Sequence, residues 1–257
     1  GSLSNAWRAT TEELKEAGLD SRAAASVGAA RAKLDPDAEM ERLERTGARA
    51  LTWEDSDYPP RLKEIYDLPP VLFVKGTLLP QDERSVAVVG TRRATAYGRE
   101  VAAQLSTDLA RRGVTIVSGL ARGIDAIAHR SALDAGGRTI AVLGNGLDVV
   151  YPPEHAPLAS QILENGALVT EHPLGTRPDA KNFPRRNRIM SGLSLGVLVV
   201  EAGETSGALI TAQMALEQNR EVFAIPGSIL SPSSQGANKL IQEGAKLVRS
   251  YTDILEE

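Results

Sequence analysis

Residues 181–194 read KNFPRRNRIMSGLS. Lys181, Arg185, Arg186 and Arg188 fall within eight positions and no acid interrupts them. Phe183 and Asn187 stand among them, and an apolar side of Ile189, Met190 and Leu193 follows. Guanidinium groups grip phosphate with a planar fork and also stack on flat π-systems, which an ammonium does poorly. An aromatic set into such a strip adds a surface for a flat ring. The chemistry on offer is recognition of an anionic, stackable ligand.

Catalytic chemistry has little support. The chain has three histidines, His129, His155 and His172, well separated, and no cysteine. Thiolate zinc sites, disulfides and cysteine nucleophiles are excluded, and a reducing, cytoplasmic compartment is expected. No G-x-S-x-G elbow, H-E-x-x-H pair or G-x-x-x-x-G-K-[ST] loop occurs. His129 is expected as a structural residue in a helix, and Asp125 as a complement to that helix's dipole. No catalytic residue, cofactor or metal is assigned.

The 257 residues are 42% hydrophobic, enough for a substantial core, and the net charge is −4. Any polyanion site must therefore be local, because the surface as a whole repels one. No apolar run nears the ~20 residues of a membrane span. The chain opens Gly1-Ser2 without methionine; these two residues are set aside, and a truncated start is expected.

Residues 1–48 carry apolar residues at helical spacing, among them Leu14, Ala17, Leu34, Met40 and Leu43, with Thr11 as a helix cap. A small helical N-terminal domain is predicted there. Residues 49–84 hold the breakers Tyr58-Pro59-Pro60 and Leu68-Pro69-Pro70 and one short strand, Val71–Val74, and are expected to connect it to a main domain over 85–257. In that domain six apolar runs recur: Val86–Val89, Val114–Val117, Thr139–Leu143, Ala167–Val169, Val197–Val200 and Glu221–Ile225. Helical segments are expected over 97–112, 124–135, 156–165 and 207–218. Continuous β-branched runs are buried on both faces, so the fold class is α/β: an extended Rossmann-like, mostly parallel sheet with helices on both faces.

Open α/β sheets bind ligands at the carboxyl ends of their strands. The first strand leads into Gly90-Thr91-Arg92, the second into Ser118-Gly119, and the fifth into a segment containing Ser206-Gly207. Small residues on this edge let backbone N–H groups approach an anion. Arg92 stands where the second glycine of a dinucleotide fingerprint belongs, which disfavours a pyrophosphate. A glycine-lined mouth with arginines and an aromatic suits single-stranded nucleic acid. The plainer reading stands beside it: a solvated arginine face, a core Phe183, Asn187 as a local cap. Arg188 has its own alternative, a buried structural arginine paired with Glu171 or Glu201, because Ile189 beside it must face inward.

The stretches VAVVGTRRATAYG, SGLARGIDAIAH, GGRTIAVLGNGLDVVYP, FPRRNRIMSGLS, VLVVEAGETSGALITAQMALEQNREVFAIPG and QGANKLIQEGA resemble the DNA-processing protein A family, also called Smf. SDYPPRLKEIYDLPPVLFVKG resembles that family's lead-in, so the likeness covers about 50–257; residues 1–48 loosely resemble its SAM-like helical part. The resemblance implies a homodimeric, non-enzymatic protein that binds and protects single-stranded DNA in natural transformation and helps load RecA recombinase onto it. By motif position it implies DNA contacts from Gly90, Thr91, Arg92, Ser118, Gly119, Lys181, Phe183, Arg185, Arg186, Asn187, Arg188, Ser206 and Gly207. Loss of Arg92 or Arg188 is expected to weaken binding. Two departures accompany it. Many members continue into a winged-helix-like domain beyond the point where this sequence stops, and His155 stands where asparagine is frequent. Two alternatives belong to other classes. A Rossmann-like nucleoside monophosphate phosphoribohydrolase would carry P-G-G-x-G-T-x-x-E in the place of Glu201–Thr211, where Thr211 stands instead of the carboxylate. A nucleotide-sensing module would use the same glycine edge.

Overall fold

A computed structural model describes residues 3–257 as two compact units, one ending at Thr46 and one running from Gly47 to Glu257. The first is helical: α1 (Leu3–Arg8), α2 (Thr11–Glu16), α3 (Ser21–Arg31) and α4 (Pro36–Arg45). Thr10, not Thr11, caps α2, because Glu13 is three residues on and completes a reciprocal capping box. Asp20 and Asp35 cap α3 and α4. Arg31 at the end of α3 donates to the Ala6 and Ala9 carbonyls and lies over the Trp7 ring at 5.8 Å. That side chain links α3 to α1.

The second unit opens with β1 (Ala48–Thr52), β2 (Val71–Gly76) and β3 (Ser85–Val89), followed by α5 (Ala96–Arg111), β4 (Thr115–Ser118), α6 (Ile124–Asp134), β5 (Thr139–Val142), α7 (Ala156–Glu164) and β6 (Gly166–Thr170). It continues through α8 (Asn182–Leu193), β7 (Gly196–Val199), α9 (Gly207–Glu217), β8 (Glu221–Ala224), α10 (Gln235–Gln242), β9 (Lys246–Leu247) and α11 (Thr252–Leu255). Among the described residues nine strands form one sheet in the order β1-β2-β6-β5-β4-β3-β7-β8-β9. From β6 to β9 every pairing is parallel; β2 is antiparallel to β6, and β1 to β2. Residues 49–84, expected as a connecting segment, thus contribute two strands to the sheet itself.

Alternation along the strands sorts the core into two layers. Ala87 and Val89 of β3, Val117 of β4, and Val197 and Val199 of β7 face α8, α9 and α10. Val86, Val88, Ile116 and Leu198 face α5 and α6. The chain steps from β3 through β4 and β5 to β6, then returns across the sheet to lay β7 on the other side of β3. Right-handed crossovers place their helices on opposite faces when the direction of travel reverses. The sheet therefore has a switch point beside β3, and α8 is the helix of the returning segment. A crevice must open there, at the carboxyl ends of β3, β4 and β7.

His129 of α6 is fully buried. The Thr139 hydroxyl donates to the Ile116 carbonyl at 2.7 Å, so His129 Nδ1 must carry the proton it shares with that hydroxyl at 2.6 Å, while Nε2 has no partner among the described residues. Burial pulls its pKa down to about 3, helped by the positive charge of its surroundings. Since the folded pKa lies below the unfolded one, this histidine's stabilisation is complete above the unfolded value of ~6.5 and is lost as pH falls toward 3. Denaturant titrations of the parent at successive pH values below 6 should show an extra loss of about 1.4 kcal/mol per pH unit relative to His129→Gln, which takes up no proton. Equal slopes for the two proteins would refute this account of the buried imidazole.

Candidate functional site

Three loops meet at the switch point and are laced together. The Thr91 amide donates to the Glu201 carbonyl at 2.8 Å, and the Ile124 amide to the Thr91 carbonyl at 3.2 Å. Glu201, buried at the end of β7, also receives the Thr95 amide and hydroxyl at 2.9 and 2.6 Å. Thr95 caps α5, so one carboxylate fixes both the start of that helix and the loop before it. Glycines make the closeness possible. A Cβ on Gly90 would come within 2.6 Å of Ile124, and one on Gly98 would collide with the Glu201 carboxylate. Gly123 has φ +76° and lies against the Thr91 and Arg92 backbone, a conformation and approach that L side chains resist.

Beneath these loops lies Arg186, only 4% exposed. Its Nη1 donates to the Gly119 carbonyl at 3.0 Å and to the Val142 carbonyl, so the guanidinium occupies the carboxyl ends of β4 and β5. A Cβ on Gly119 would sit 2.5 Å from Arg186 Nη2. The glycine makes room for the guanidinium. Asp125, in the first turn of α6, accepts the Gly119 and Ala121 amides at 3.2 and 3.3 Å. Burial pulls the Arg186 pKa down to about 10, opposed by Asp125; burial likewise raises the Asp125 carboxyl, opposed by Arg186 and the two amides. The attraction between the two groups offsets part of what burial costs each of them.

Above Arg186 opens a cavity of about 720 Å³, walled by the Gly90–Arg93 loop, α8 and the start of α9. Exposed Arg92 sets its guanidinium carbon 5.7 Å from the centre of the Phe183 ring. Tyr151 stacks on the same ring, centroids 5.6 Å apart at an interplanar angle of 28°. Asn187 donates to the Gly207 carbonyl at 3.3 Å and ties α8 to α9. Ser206 caps α9 through the Ala208 amide, and Gly207 faces open space. Gly90, Thr91, Arg92, Phe183, Arg186, Asn187, Ser206 and Gly207 are thus brought together around one cavity. Gly119 borders a small recess beside it.

Four expected residues lie elsewhere. Ser118 is fully buried and donates to the Val88 carbonyl at 2.7 Å, a link between strands. Arg188 is turned inward: both Nη atoms meet Glu171 at 2.8 Å and Nε meets Asp67 at 2.9 Å. The structural reading of Arg188 holds, with Glu171 rather than Glu201 as its partner, because Glu201 is committed to Thr95. Lys181 and Arg185 are exposed outside the cavity wall, and Lys181 pairs with Asp179 at 3.6 Å. Helical geometry explains the scatter, since adjacent residues point about 100° apart and three arginines in four positions cannot share a face. Sequence reasoning passed over Tyr151 and Arg93, which both line the cavity. Tyr151 followed an apolar run as a strand end would, and only the fold places it against Phe183. Among the described residues no cluster of histidine, aspartate and glutamate suits a metal, and Thr211 lines the cavity where a hydrolase of the class considered would need its glutamate.

A family model described as DNA recombination-mediator protein A matches residues 49–257. Protein Smf of Escherichia coli is 52% identical over 215 residues, covering 83% of this chain and 58% of that protein. DNA processing protein DprA of Bacillus subtilis is 49% identical over 213 residues, covering 82% and 71%. The chain therefore spans little more than half of the first relative's length. Among solved structures, DNA processing protein A of Streptococcus pneumoniae superposes with a TM-score of 0.86 at 41% identity, over 96% of this chain and 86% of that one. DNA processing protein A of Helicobacter pylori, described with its single-stranded DNA binding mode, gives 0.73 at 30% identity, over 81% and 94%.

The two kinds of arginine separate experimentally. Arg188→Ala leaves Glu171, whose side chain is only 12% exposed, without its guanidinium partner and should lower stability by about 3 kcal/mol. Arg92→Ala removes an exposed side chain and should change it by no more than about 0.5 kcal/mol. Urea unfolding of both variants, read against the parent, tests the assignment; comparable losses would refute it.

Proposed function

Because the chain belongs to the DNA recombination-mediator protein A family, we propose that it acts as a single-stranded DNA-binding recombination mediator, without catalysis or a nucleotide cofactor. One observation carries the strand-binding reading: Arg92 lies over an aromatic ring at the rim of a cavity whose walls are glycine backbone, a helix start and the buried Arg186 guanidinium. Phosphates meet cations and N–H groups there, and bases meet flat side chains. The single-stranded DNA binding described for the Helicobacter pylori relative supports it.

In this reading Arg92 and Arg93 are the strand's outer phosphate contacts. Gly90, Thr91, Ser206 and Gly207 offer backbone, and Gly119, Asp125 and Arg186 hold the floor. Protection of DNA during transformation, loading of RecA recombinase, a homodimer and a cytoplasmic location rest on family membership. Among the described residues no helix is long and apolar enough to cross a membrane. The phosphoribohydrolase alternative has less behind it. Among the described residues lining the cavity Asp125 is the one carboxylate, and its Oδ2 accepts the Gly119 and Ala121 amides.

Fluorescence anisotropy with a labelled oligothymidylate should show binding that weakens steeply with salt. Arg92→Ala should weaken it about tenfold and lower the log–log salt slope by about one. AMP incubated with the protein should release no adenine above background. Unchanged binding by Arg92→Ala would misplace the site, and adenine release would restore the enzyme alternative.

A further inference from the structure

Phe183 is the aromatic that the sequence offers to a base, yet its ring is already surrounded. It is half-buried; Tyr151 stacks on it and Arg92 lies over it. On the Gly144 side, a Cβ added to that glycine would sit 3.0 Å from the ring. Phe183 fills the space between three neighbours and has little open face left.

Tyr151 is the more open ring. It is 37% exposed and, like Phe183, lines both the cavity and the recess next to it. The hydroxyls of Tyr58 and Tyr97 are tied to the Pro69 and Pro226 carbonyls at 2.7 and 2.8 Å, as structural tyrosines are. Among the described residues the Tyr151 hydroxyl has no such partner. Its loop is nevertheless fixed on both sides. Asn145 donates to the Val149 carbonyl at 2.6 Å, Asp148 accepts the Gly175 amide at 2.8 Å, and His155 bonds the Leu120 carbonyl at 2.9 Å. An exposed ring on a braced loop loses little freedom when a flat ligand settles on it.

We propose that Tyr151 forms a nucleobase subsite: its ring, backed by Phe183, stacks an unpaired base of the strand whose phosphates Arg92 meets. Phe183 then acts as a positioning residue that sets the angle of the tyrosine and the height of the arginine. The subsite rests on the strand-binding reading and adds a base-dependent contact to it. Stacking accepts any base, so the subsite confers preference for base-bearing strands over abasic ones and little preference among sequences.

The test compares a labelled oligothymidylate with an abasic strand of equal length, at one fixed low salt, for the parent, Tyr151→Ala and Tyr151→Phe. The parent should bind the oligothymidylate more tightly. Tyr151→Ala should lose about five- to hundredfold on that strand and stay within about twofold on the abasic one, and Tyr151→Phe should match the parent. Equal loss on both strands, or no loss on either, overturns the subsite while leaving strand binding intact. A parent that binds neither strand overturns the strand-binding reading and the subsite with it.

Discussion

A guanidinium buried at the carboxyl ends of two parallel strands is the constraint around which the mouth is built. An unpaired buried charge is costly, and the groups around Arg186 offset that cost at one nitrogen, while its Nε has no partner among the described residues. Two carbonyls, of Gly119 and Val142, accept from one of its nitrogens, Asp125 opposes its charge, and residue 119 has no side chain to displace it. Asp125 in turn holds the Gly119 and Ala121 amides, and so fixes the loop that packs under Thr91 and Arg92. Positive charge at the floor, braced backbone at the walls and an exposed arginine at the rim surround that one placement.

The chain is acidic overall, with a net charge of −4. Its concentrated arginines do not act together as a single patch. Arg186 is an internal fixture, Arg188 joins α8 to Glu171 and Asp67, and Arg185 faces solvent. Cation density along the sequence overstates the cation density at the site. What remains at the rim is a small number of guanidiniums from the β3–α5 loop, beside one aromatic from the β5–α7 connection and one from the start of α8. Such a rim grips one stretch of a flexible polyanion without making the surface at large attractive to nucleic acid.

Glu201 shows how the same fold economises on elements. A carboxylate at the end of the strand next to the switch point is an obvious candidate for acid–base chemistry. Here it receives the Thr95 amide and hydroxyl and the Ser233 hydroxyl, and its carbonyl takes the Thr91 amide. It positions the Arg92 loop from the far side of β3. The glycines at positions 90 and 98 keep that link short.

Much of this was legible in the residues. Runs such as Val86–Val89 and Val197–Val200 required strands buried on both faces, which dictates a parallel sheet and a ligand edge at its carboxyl ends. Gly90-Thr91-Arg92 and Ser206-Gly207 were therefore assignable to that edge from order alone. Val71–Val74 was legible as a strand, but β1 and the antiparallel pairing of both with the sheet were harder to see, because prolines break the segment between them and pairing with β6 is a long-range contact. The role of Arg186, the choice between the two readings of Arg188, and the roles of Ser118 and Tyr151 lay beyond the sequence. Whether a side chain points to a cavity, a carboxylate or a neighbouring ring depends on helix phase and on which distant loop comes to meet it. The amino-acid sequence by itself determined the layers, the glycine-lined edge and the presence of cations and aromatics. Only the tertiary structure decided which cation is buried, which is paired and which ring is left open, because those outcomes are set by contacts between residues far apart along the chain.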